Sequence, residues 1–126
     1  MPEQTSNPLP TFFLQSVTFD LECLLLILED GAGNLLLEVS FAPPRAYRVY
    51  AASDYWKYLN QFAGNPLIET VDSGCGVELS NCAPYLHEYR AHVRPQEPEE
   101  TFSCLIRTPD HCVEVICFEE PTLRLL

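Results

Sequence analysis

Basic side chains are scarce in this chain of 126 residues: seven Lys and Arg, with Lys57 the one lysine, stand against 18 Asp and Glu, for a formal charge of -11. That deficit argues against a nucleic-acid partner, since phosphate contacts rely on clustered basic groups that displace condensed counterions. Anionic lipid is repelled by the same field. Long apolar runs are missing too. The longest, Leu24 to Leu28, is far short of the roughly 20 residues that a membrane-spanning helix needs. Met1 to Pro10 carries no basic residue and no apolar stretch ahead of its prolines, so neither a secretory signal nor a transit peptide is expected, and a cytoplasmic protein is. There is no Cys-x-x-Cys pair, the tight spacing by which zinc knuckles bring two thiolates to one ion. Nor does a glycine-rich loop join a strand to a helix, as a nucleotide-phosphate cradle requires.

What is present is an ordinary globular composition, 47% apolar and 20% charged, too hydrophobic for a disordered chain. The length suits one domain over residues 1–126 that buries roughly two-thirds of its unfolded surface, with residues 1–11 a flexible lead. Six cysteines (Cys23, Cys75, Cys82, Cys104, Cys112 and Cys117) sit mostly in apolar or alternating segments. There a reduced thiol acts as a small hydrophobe, so reduced thiols are expected.

Hydrophobic period divides the chain into elements. Thr18 to Leu28 alternates and then turns apolar on both faces, which predicts a strand entering the core. Glu29 to Asn34 is a turn closing a hairpin with Leu35 to Phe41, where Leu35, Leu37, Val39 and Phe41 share a face until Pro43 and Pro44 end the strand. Ala46 to Tyr50 predicts a third strand. The period then changes: Ser53 as N-cap, Asp54 in the first turn, and Tyr55, Leu59 and Phe62 at helical spacing predict the one helix, near Asp54 to Phe62. Leu67 to Val71, Val77 to Leu79 and Tyr85 to Arg94 read as strands, the last from alternation of Tyr85, His87, Tyr89, Ala91 and Val93. Pro95 to Glu100 is an acidic turn. Thr101 to Thr108 and Cys112 to Phe118 form a second hairpin about Pro109 to His111, and Leu123 to Leu126 reads as a short edge strand. The expected fold is mainly β, of α+β kind: an antiparallel, meander-like curved sheet or sandwich with one short helix.

Sets of residues able to do chemistry are few. The run from His87 to His92 resembles a zinc-protease helix only superficially, because its histidines are five apart where the motif needs four. His111, Cys112 and Cys117 have the wrong spacing for a metal, and Cys112 and Cys117 face opposite ways on one strand. Cys75, between glycines in a loop, is the thiol with the exposure a nucleophile wants, but nothing local supplies its base. Neither metal, cofactor nor catalysis is expected.

Aromatic residues gather near the helix: Tyr47, Tyr50, Tyr55, Trp56 and Tyr58, beside Asp54. Tyrosine and tryptophan anchor interfaces because they bury large area at little entropic cost. Trp56 and Tyr58 lie off the core-facing stripe, so a partner-binding surface is expected at Asp54, Trp56 and Tyr58, rimmed by Asp72, Glu97, Glu99 and Glu100. The acidity favours a cationic protein as that partner.

Phe19 to Leu28, the hairpin to Leu35–Phe41, the Tyr47-Arg48-Val49 strand and the closing Cys112 to Ile116 together resemble the small acidic immunity proteins encoded beside polymorphic or secreted bacterial toxins. The resemblance rests on pattern over about half the chain and carries no functional residue across. It implies a cytosolic protein that binds and occludes a cognate toxin. Two other readings remain open: a small-ligand or lipid pocket inside a curved sheet lined by the tyrosines, and a Cys- or His-dependent enzyme.

Overall fold

A computed structural model describes residues 5–8, 11–61, 75–92 and 101–126. It is mainly β, with two antiparallel sheets and two short helices among the described residues. The strands are β1 (Thr5–Pro8), β2 (Phe12–Phe19), β3 (Leu24–Asp30), β4 (Leu36–Phe41), β5 (Ala46–Ala51), β6 (Gly76–Ser80), β7 (Phe102–Arg107), β8 (His111–Cys117) and β9 (Thr122–Leu125). Helix α1 spans Ala52–Leu59 and α2 spans Pro84–His92. The larger sheet has the order β1-β6-β7-β8-β5, and the smaller β2-β3-β4-β9. Thr5–Pro8, inside the stretch expected as a flexible lead, pair with β6.

Both expected hairpins form. β3 pairs with β4 across the Gly31 to Leu35 turn, where Asn34 donates its amide to the Asp30 carboxylate at 2.8 Å. β7 pairs with β8 around Pro109 and Asp110, and the Thr108 hydroxyl donates to Asp110 at 2.8 Å.

Three expectations are corrected. Thr18 to Leu28 is not one strand but the end of β2, a tight turn and the start of β3. The turn is made by Asp20, whose Oδ1 accepts the amides of Glu22 (3.0 Å) and Cys23 (2.9 Å). Tyr85 to Arg94 is no strand: its described part lies in α2. Pro84 occupies the first helical position, where a missing N–H costs nothing, and Tyr85, Leu86 and Tyr89 turn inward. The alternation misleads because Tyr85 and Tyr89, four apart, share a face in either geometry. So there are two helices where one is expected. Ser53 is also not the N-cap of α1; the chain passes directly from β5, with Ala51 at the cap making no side-chain bond and Ala52 donating its amide to the Asp110 carbonyl at 3.0 Å. Leu67 to Val71 lies outside the described residues.

The layers follow from which faces are covered. One core lies between the sheets, built from Phe12, Leu24, Leu26, Leu28, Val39 and Phe41 against Val77, Cys104, Ile106, Val113 and Val115. A second lies between the outer face of the larger sheet and the helices, where Tyr55, Leu59, Leu86 and Tyr89 cover Leu105, Cys112 and Ile116. β6, β7 and β8 are therefore buried on both faces, polar residues included. Phe12, at the start of β2, donates its amide to the Cys75 sulfur beside β6, whereas Phe19, at its end, packs on Tyr47 of β5. β2 thus reaches from the β6 side of the larger sheet to β5 at its edge.

Candidate partner-binding surface

Part of β5 is uncovered. Tyr47 and Val49 stand opposite Val115 and Val113 in the ladder, so they point to the inter-sheet side, yet they are 36% and 45% exposed. β5 is the last strand of its sheet. Phe19 reaches it from β2, its ring centroid 5.9 Å from that of Tyr47.

Leu21, two residues beyond Phe19 in the turn between β2 and β3, is 77% exposed. Its φ is 75°, the left-handed region in which a leucine is unusual. The two amide bonds to Asp20 hold the turn in that shape. Those bonds, from Cys23 foremost and then Glu22, also hold the Asp20 carboxyl below its ordinary range. A strained turn here presents a large apolar side chain between two exposed acids, Asp20 and Glu22. Apolar centre with charged rim is the usual anatomy of a protein interface.

Of the residues expected to form the interface, Asp54, Trp56 and Tyr58 lie on α1. Asp54 is exposed in the first turn of α1, and Trp56 is half-buried. Tyr58 turns inward, its ring stacked on Tyr50 at 5.7 Å and Tyr55 at 6.1 Å. Burial pushes the Tyr58 hydroxyl up to about 12. Asp72, Glu97, Glu99 and Glu100 lie outside the described residues. Sequence reasoning passed over Phe19, Leu21 and Val49 because it placed the first two inside one continuous strand. Asp20 followed two residues later by backbone amides it can accept is the turn signal that would have found them.

Beneath the helices the outer face carries a polar row. Arg48 of β5 stands opposite Glu114 of β8, which stands opposite Leu105 and then Glu78. Glu78 is fully buried and accepts two bonds from Arg107, 2.6 Å from Nη2 and 3.2 Å from Nε. Glu114, also fully buried, accepts the Tyr55 hydroxyl.

Cys75 is buried, not exposed, and its thiol donates back to the Phe12 carbonyl at 3.1 Å. His87 and His92 are both exposed on α2, about 140° apart around the helix axis. His111 Nδ1 lies 3.1 Å from Asp110 at the β7–β8 turn. Among the described residues no group of three or more His, Cys, Asp or Glu is placed to hold a metal ion, and no helix is long and apolar enough to cross a membrane.

Comparison with protein-family models, with curated proteins and with solved structures finds no match to this chain.

Proposed function

We propose that this chain is a stoichiometric binding protein for one cationic protein, acting as an immunity protein acts on a cognate toxin, in the cytoplasm and without catalysis. The observation that carries the reading is Leu21, a leucine held at φ 75° with most of its surface in water. A turn needing left-handed backbone is made at lower cost by Gly or Asn. A leucine there serves its side chain, and strain of this kind gathers at functional sites. Phe19, Tyr47 and Val49 are further exposed apolar side chains, Phe19 packed on Tyr47, and the charge of -11 supplies attraction for a basic surface.

The reading is tested by co-expressing the chain with the product of the neighbouring gene and measuring the complex. Wild type should form a one-to-one complex and protect cells from that product. Leu21→Asp should weaken it at least about tenfold, the effect of losing a buried anchor. Absence of a complex, or an undiminished one with Leu21→Asp, removes the reading.

A further inference from the structure

A cavity of about 330 Å³ opens between β5 and α2, on the outer face of the larger sheet. Tyr85, Glu88, Tyr89 and His92 line one wall. They fall at i, i+3, i+4 and i+7 of α2, a single helical face. Arg45 and Arg48 line the other. The size is near the lower bound of small-ligand sites, roughly 300 to 1,000 Å³.

The two guanidinium groups differ in how they are engaged. Arg48 lies 3.9 Å over the Tyr85 ring and donates to Glu88 at 3.1 Å and to the Tyr50 hydroxyl at 3.1 Å. Arg45 is anchored by its backbone amide, which donates to the Ile116 carbonyl at 2.8 Å, and its guanidinium lies 4.4 Å from the Phe118 ring centroid. It makes no ion pair with the described residues. The other arginines among the described residues are committed: Arg107 to Glu78, Arg124 to Glu38 and Arg90 to the Thr101 carbonyl. In a chain with 18 acids and seven basic residues, a cavity walled by two arginines and one glutamate is locally positive. The protein's overall negative field does not cancel this, because exposed charges beyond about 10 Å are screened at 0.1 M salt. Guanidinium forks match carboxylate and phosphate oxygens, and tyrosine rings offer an apolar flank.

We propose that this cavity binds a small organic anion, a carboxylate or phosphate on a single-ring or similarly small apolar body. Arg45 is its first charge partner, and Arg48 its second as Glu88 gives way. The site is independent of the partner-binding reading: Arg48 faces the helices, while Tyr47 and Val49 face the other side of the sheet.

The experiment titrates the full ¹⁵N-labelled chain with benzoate, phenyl phosphate and, as a cationic control, benzamidine, following amide shifts. At least one anion should give saturable shifts centred on Arg45, Arg48, Tyr85, Glu88 and Tyr89, and benzamidine none. The tighter of the two anions identifies the headgroup. Arg45→Gln should weaken binding about tenfold, as expected for one charge-assisted hydrogen bond. Glu88→Gln, which removes the competing carboxylate from a half-exposed side chain, should tighten binding by about threefold. Thermal midpoints of both variants confirm the fold. No saturable shifts at millimolar anion, equal binding of benzamidine, or a Glu88→Gln variant that binds more weakly would overturn the proposal.

Discussion

The Tyr55 hydroxyl on α1 donates a 2.8 Å hydrogen bond to Oε2 of Glu114, a carboxyl with no solvent exposure in the middle of the larger sheet. Burial pushes Glu114 up from its ordinary 4.5 to about 7, against the opposing effects of Tyr55, Arg48 and Ser103. The pair ties the first helix to the strand beneath it and makes the fold sensitive to pH.

With its folded pKa raised, Glu114 holds its proton more tightly in the native state than in the unfolded chain. Its contribution is fully present below 4.5 and is lost as pH rises to about 7, above which it is constant. The loss is on the order of 3 kcal/mol. Urea midpoints from pH 4.5 to 8 should fall through this window, and Glu114→Gln, neutral throughout and still able to accept from Tyr55, should flatten the fall. A wild-type profile that rises steadily over the same window would contradict it. Asp20 and Asp110, whose pKa values are lowered, act oppositely but below 3.8, outside the window.

Tyr55→Phe should cost about 1 to 3 kcal/mol, since it leaves a buried oxygen without its donor. The cost should be larger at pH 8, where the carboxylate is charged, than at pH 5. In the Glu114→Gln background the difference between the two pH values should vanish. Equal costs at both pH values in the wild-type background would mean that the bond does not favour the charged form.

Leu21→Gly separates function from stability. It removes left-handed strain at an exposed position, so the unfolding free energy should hold or rise, by about 1 kcal/mol at most. Partner binding should fall by at least about tenfold. Glu22→Lys, on the rim, should mainly slow association and weaken its salt dependence. Trp56→Ala, on α1, should leave dissociation within about twofold of wild type. A variant set in which Trp56→Ala is the most damaging would place the interface on α1.

Removing one half of the buried Glu78–Arg107 pair should be costly. Glu78→Ala leaves a buried guanidinium beside a cavity and should destabilise by about 3 to 5 kcal/mol in urea unfolding. Glu78→Met with Arg107→Met should cost much less than the sum of the single changes. Additive costs would show that the two residues act separately.

Thiol labelling of the native protein should divide the cysteines by burial. Cys23 and Cys82, half-buried, should react first. Cys75, Cys104, Cys112 and Cys117 should stay protected until unfolding; burial pushes Cys104 up and holds Cys112 and Cys117 at about 12. Rapid native labelling of Cys75 would restore it as a candidate nucleophile.

The sequence by itself determined the antiparallel, strand-rich class, the β3–β4 and β7–β8 hairpins and the position of α1. Each is written in neighbouring residues: Asp30 to Asn34 and Thr108 to Asp110 carry their own turn bonds, and Tyr55 and Leu59 their own helical period. Tertiary structure decided the rest. Tyr85 and Tyr89 satisfy period two and period 3.6 alike, and a helix forms because the outer face of β7 and β8 has to be covered. Glu78 and Glu114 look like surface acids until helices close over them. Tyr47 and Val49 look like core, but on the last strand of the larger sheet they stay partly exposed. Burial of a face depends on where a distant segment lies, and no local pattern carries that information.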